Sequence, residues 1–172
     1  MSYGAGRKEM IEDDSWDEDD EDTMKNRYLT FHIADEDFGI DILYVKEIVG
    51  MQKITEVPDM PAFIKGVINL RGQVIPLIDV RLRFEIELRE YDERTCVIVV
   101  DINSMLVGLV VDMVSEVTEI PEESISPPPQ LAYSTSHQYI KGMGKIGEEV
   151  KIILDIQKLL FEQETKLLAE SM

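Results

Sequence analysis

Two stretches of this chain, 76 positions apart, carry nearly one pattern. "FIKGVINLRGQVIPLIDVRLRF" (63–84) aligns without a gap on "YIKGMGKIGEEVKIILDIQKLL" (139–160). They share Ile-Lys-Gly, Val74 with Val150, and Asp79 with Asp155. A second pair, "FGIDILYVKEIV" (38–49) over "VGLVVDMVSEVT" (107–118), matches at an offset of 69. There Gly39 meets Gly108, Val45 meets Val114 and Glu47 meets Glu116. A repeat constrains a fold more than composition does, because each copy must solve the same packing problem. The expected units are 28–84 and 97–160, and chance agreement of short patterns is the competing reading. The difference in offset leaves seven extra residues in the second copy, expected within "SPPPQLAYSTSHQ" (126–138), whose composition is that of a loop.

Within each copy the pattern is β. "YLTFHI" and "DFGIDIL" flank the acidic turn "ADED", and "CVIVVDI" and "MLVGLVVD" flank "NS" in the same way. Pro76 has no N–H for a ladder, so its strand is expected to be an edge or bulged there. Gly66 and Gly142 suit close backbone approach or a barrel corner. About five short strands per copy is the material of a small barrel. A unit of about 60 residues buries little alone, so the copies should share an apolar interface. The end of the chain changes period. Ile156, Leu159, Leu160 and Leu167 have helical spacing, and Asp155 is placed to cap a helix over 155–169. The predicted fold is mainly β: two similar five-stranded, SH3-like barrels on a common apolar core, with one C-terminal helix.

Charge narrows the partners. The formal net charge is −18, the wrong sign for nucleic acid or an anionic membrane surface. Residues 1–22 hold ten acids and two bases, so 1–25 reads as a disordered acidic tail ahead of a domain over 26–169. The tail serves solubility or docks on a basic partner with Trp16 as anchor. It has no glycine placed for a calcium loop. The longest apolar run, "CVIVV", is far too short to span a membrane, and no secretory h-region is visible. One cysteine, Cys96, excludes an internal disulfide and reads as a buried strand residue in a reducing cytosol.

No catalytic or metal-binding pattern emerges, and no cofactor is expected. His32 and His137 have no second ligand at metal spacing, and no GxSxG, P-loop or GxGxxG occurs. Glu122-Glu123 and Glu148-Glu149 read as solvated turns. The repeat then sorts residues for binding: those needed by the fold should recur in both copies. Gly66/Gly142, Gly39/Gly108 and Asp79/Asp155 do. Arg71, with no carboxylate within seven residues, does not, because its counterpart is Gly147. Arg71 is therefore a candidate partner contact, against the plain alternative of a surface arginine beside a glycine turn. Glu47 is matched by Glu116 and also reads as a strand-face carboxylate.

The long run "VPDMPAFIKGVINLRGQVIPLIDVR", with "FGIDILYVKEIV", "VGLVVDMVSEV" and "YIKGMGKIGEEVKIILDIQKLL", resembles the CheW family of chemotaxis coupling proteins over 27–160. The resemblance implies two five-stranded barrels and a cytoplasmic adaptor without enzymatic activity. It implies joining chemoreceptor cytoplasmic tips to the regulatory domain of the histidine kinase CheA, and rings of alternating CheW-like barrels. Carried over by motif, Val45, Glu47, Gly66, Asn69 and Arg71 match positions of receptor or kinase contact, although the repeat favours a structural part for Gly66. An apolar groove between the barrels is the expected receptor site, with Arg71 at its rim. The acidic tail departs from members that begin close to the first strand. The rival readings are an adaptor of a non-motility array, such as one for pili or biofilm, and an orphan enzyme at the barrel interface. A CheW unit fused to a receiver, or a complete kinase, would need a longer chain.

Overall fold

The two copies do not fold side by side; they exchange strands. The computed structural model describes residues 24–128 and 138–160. The first copy supplies β1 (Arg27–Ile33), β2 (Glu36–Asp41), β3 (Val45–Gly50), β4 (Ile64–Leu70), β5 (Gln73–Asp79) and the single-turn helix α1 (Val80–Arg83). The second supplies β6 (Cys96–Ile102), β7 (Met105–Val111), β8 (Met113–Glu119), the short β9 (Ile125–Ser126), β10 (Ile140–Ile146), β11 (Glu149–Leu154) and α2 (Ile156–Leu160). The first sheet runs β8-β1-β2-β11-β10-β9, and the second runs β3-β6-β7-β5-β4. Each copy gives its first two strands to one sheet and its later strands to the other. The copies are joined by the parallel contacts β2–β11 (Phe38 with Ile152) and β5–β7 (Leu77 with Gly108) and by the antiparallel pairs β1–β8 and β3–β6.

Short crossing points make the exchange. After β2 the chain turns through a 3-10 segment, Ile42–Tyr44, with Asp41 Oδ1 accepting the Leu43 N–H at 3.0 Å. The second copy crosses at Asp112, whose N–H donates to His32 O at 3.1 Å. The crossing strands enclose one core. Leu29, Phe31, Ile33 and Ile40 from β1 and β2 meet Ile98, Val100, Val107 and Leu109 from β6 and β7, with Val80 from α1 and Ile156, Leu159 and Leu160 from α2. Each such side chain contributes about 1.5–3 kcal/mol when fully buried. Phe31, Phe38, Phe84 and Tyr139 continue it as neighbouring rings with centroids 5.7–5.9 Å apart. Asp155 caps α2 as expected, accepting the Lys158 N–H at 3.1 Å. The helix is described as far as Leu160; its expected extension to 169, the tail over 1–23 and His137 lie outside the described residues.

Several expectations need correction. β5 is an interior strand, not an edge. Pro76 is tolerated because the β7 ladder starts one residue later, at Leu77. On the other side its cross-strand partner Val67 directs both backbone groups to Thr55, at 2.9 Å each, and asks nothing of position 76. Cys96 is half-buried at the start of β6, with Sγ 3.2 Å from Arg94 O. The seven extra residues are split. Ile54 and Thr55 bear on Gly66 as Ile125 and Ser126 bear on Gly142, an offset of 71, so two of the seven precede β9. At Gly66, φ is +144° and an added Cβ would overlap Thr55 O and lie 2.9 Å from Ile54 Cγ2. The close backbone approach read from sequence is thus the reason for that glycine.

Candidate functional site

The β4–β5 hairpin closes with Leu70 opposite Gln73, leaving Arg71 and Gly72 as a two-residue loop. Both have positive φ, 52° and 85°. Paired positive φ values match the right-handed twist of flanking strands, and Asn or Gly usually meets the requirement. Asn69 secures the bend, its Oδ1 accepting the Gly72 N–H at 2.8 Å. Arg71 holds a left-handed conformation that costs a residue with a Cβ roughly 1–2 kcal/mol. The matching bend of the second copy has Gly147 at φ 60°, which avoids that cost.

Arg71 is not unpaired. Its Nη2 forms an ion pair with Glu47 Oε2 on β3. The two strands are opposite ends of the five-stranded order, so the pair bridges both edges of that sheet. The partner is 24 residues away, beyond any local search for a carboxylate. The Arg71 side chain is 68% exposed and that of Glu47 32%. An exposed pair of this kind is worth at most about 1 kcal/mol. That does not exceed the backbone strain, so the fold alone gives no reason to place arginine at this bend. At the bend matching Arg71 the second copy has Gly147, and Glu116, the counterpart of Glu47, accepts from Thr118 Oγ1 at 3.2 Å.

The structure thus joins Glu47, Asn69 and Arg71 into one polar corner. Val45 lies two residues earlier, partly buried against the shared core, and a register shift separates it from Glu47. Gly66 is buried at the other end of β4, and its geometry is explained by Thr55. Sequence reasoning missed two exposed apolar residues beside this corner. Ile48 is 43% exposed and Val74, opposite Asn69, is 55% exposed. Their counterparts Val117 and Val150 are 47% and 50% exposed. Recurrence in both copies therefore marks a shared surface at these positions rather than shared core. The Val74/Val150 identity is the sequence signal for it, although a recurring valine by itself does not tell surface from core.

An apolar cleft of about 240 Å³ lies between the halves, lined by Phe38, Phe84, Ile86, Ile140 and Ile152. Arg71 is not among its lining residues. Other polar clusters hold elements together. Arg81 donates to Asp112 at 2.7 and 2.8 Å, and Asp112 also accepts the Ala34 N–H at 2.8 Å. Burial pushes the Asp112 carboxyl up, but the hydrogen bonds from Arg81 and Ala34 outweigh it and hold it below the usual range. Lys151 pairs with Asp37 at 2.9 Å and Glu149 at 3.1 Å, and the Asp37 hydrogen bond raises its ammonium above the ordinary lysine range. Asp37 also meets His32 Nδ1 at 2.5 Å. Among the described residues, no group of three or more His, Cys, Asp or Glu could hold a metal, and no helix is long and apolar enough to cross a membrane.

Interleaved β sheets that present an exposed charged bend have the geometry of a docking scaffold. The family model for the CheW-like domain matches residues 27–164, and the chain belongs to that family. It is 42% identical over 146 residues to "Chemotaxis protein CheW" of Klebsiella aerogenes, covering 85% of this chain and 88% of that protein. It is 34% identical over 145 residues to the protein of that name in Treponema pallidum, covering 82% and 85%. The crystal structure of the scaffolding protein TtCheW from Thermoanaerobacter tengcongensis superposes with a TM-score of 0.73 at 37% identity, over 81% of this chain and 94% of that one.

Proposed function

We propose that this chain is a non-catalytic cytoplasmic scaffold that couples chemoreceptor cytoplasmic tips to the regulatory domain of the histidine kinase CheA. The observation that carries this reading is Arg71. It occupies a strained backbone position where the other copy uses Gly147, and it keeps its guanidinium exposed beside Glu47. Strain held without a matching gain in stability points to function. A guanidinium offers a planar donor fork to a carboxylate or carbonyl of a partner. Val45, Asn69 and Glu47 complete the contact, and Gly66 sets the strand that presents it. The exposed apolar residues recur once per half, as Ile48 with Val74 and Val117 with Val150. Two similar surfaces suit two CheW-like neighbours, as in a ring of alternating barrels.

The test is reconstitution of the full chain with receptor tips and CheA, scored by kinase phosphorylation. Wild type is expected to raise kinase activity only when both partners are present. Arg71→Ala is expected to lower that activation by about tenfold, the loss typical of one interface anchor of 1–2 kcal/mol. Full activation by both Arg71→Ala and Glu47→Ala would reject this corner as the contact.

A further inference from the structure

Two residues that recur in both copies frame an aromatic ring in one half of the molecule. Lys65 Nζ lies 5.9 Å from the centroid of Tyr91. Asp79 Oδ2 accepts the Tyr91 hydroxyl at 2.6 Å, while its Oδ1 accepts the Arg81 N–H at 2.9 Å. The ring packs on the cluster that includes Leu77, Val97 and Val110. Tyr91 comes from the connection between copies, not from the repeat itself.

In the other half the repeat places Lys141 for Lys65, Asp155 for Asp79 and Ile153 for Leu77. Asp155 likewise commits Oδ1 to a backbone N–H, that of Lys158. Tyr28 and Asp41 stand where Val97 and Val110 stand. The apolar cluster here is smaller, built on Tyr28, Ile120 and Ile153. These counterparts, Lys141, Asp155, Ile153, Tyr28 and Asp41, line a cavity of about 220 Å³ together with Gln157 among others. A cavity of about 150 Å³ admits a benzene ring, so this one has room for a phenol. It adjoins a cavity of about 680 Å³ that shares Tyr28, Asp41 and Lys141. Lys141 and Gln157 are exposed, so the site is reached from solvent.

We propose that the Lys141–Asp155 cavity is a second docking site that takes the tyrosine side chain of a partner protein. The phenol hydroxyl donates to Asp155 Oδ2, and the ring lies near the Lys141 ammonium, as Tyr91 does between Asp79 and Lys65. Tyrosine suits such a site, because its large ring loses little conformational freedom and one polar end fixes its orientation. The site lies in the sheet opposite the Arg71 corner and does not depend on the receptor and kinase assignment.

The experiment titrates the full chain with N-acetyl-tyrosine amide, followed by amide NMR. Saturable shifts are expected at Lys141, Asp155 and Gln157, with half-saturation below about 20 mM for so small a probe. N-acetyl-phenylalanine amide should bind about fivefold more weakly or worse, for want of the hydrogen bond to a carboxylate. Asp155→Asn keeps an amide oxygen for the helix cap and should abolish the preference for tyrosine. Equal binding of the two amides, shifts centred elsewhere, or no saturation would overturn the proposal. Binding by Tyr133→Ala but not by wild type would assign the cavity to this chain's own tyrosine and overturn the partner.

Discussion

Arg71→Gly makes the first bend chemically like the second, where Gly147 stands, and so separates stability from docking. Three terms set the effect on stability. Removing the Cβ from a residue at φ 52° relieves roughly 1–2 kcal/mol. Glycine frees the unfolded chain and returns about 0.4–1 kcal/mol of that. Loss of the exposed pair with Glu47 removes at most about 1 kcal/mol. The net change is expected between about −1 and +1.6 kcal/mol, so Tm should fall by no more than about 2–4 °C for a domain of this size. Calorimetry measures the melt, and binding to CheA and receptor tips is measured on the same preparation. An unchanged melt with binding reduced about tenfold is the expected result. A fall in Tm above about 8 °C, or more than about 2 kcal/mol, would mean that the pair clasps the two sheet edges and that Arg71 is a fold residue.

Gly66→Ala should cost about 3 kcal/mol or more, because the new Cβ overlaps Thr55 O at a φ of +144°. Gly142→Ala, where the nearest contact is Ile125 Cγ2 at 2.7 Å, should cost less; urea melts rank the two, and the reverse order would refute the geometry. Asp37→Ala should destabilise by roughly 1–3 kcal/mol, since it leaves Lys151 poorly paired. Asp37→Leu with Lys151→Ile installs the counterparts Leu106 and Ile75 and should match or exceed wild type in urea; a double variant weaker than the single one would refute the apolar equivalence of the two parallel contacts. The depressed Asp112 carboxyl contributes stability that is present above its unfolded value of about pH 4 and lost as pH falls through the folded value. Urea melts below about pH 4 should therefore show a smaller acid slope for Asp112→Asn than for wild type, and equal slopes would refute the assignment.

Sequence alone determined the repeat, its β character, the offsets of its strands and the cap on α2, because these depend on local pattern. The offset of 69 holds from β1/β6 through Val45/Val114 and Glu47/Glu116, and that of 76 holds for β4/β10 and β5/β11. It also marked Arg71, since the contrast with Gly147 is written in the chain. Only the tertiary structure decided that strands exchange between sheets: an antiparallel hairpin looks the same in sequence whichever sheet its neighbours join. It decided that Glu47 meets Arg71 across a sheet whose edges are 24 residues apart in the chain. It showed that Val74 and Val150 repeat as surface rather than core, because alternation along a strand fixes which residues share a face and not which face is covered. Burial is settled by what packs against a strand, and that partner came from the other copy.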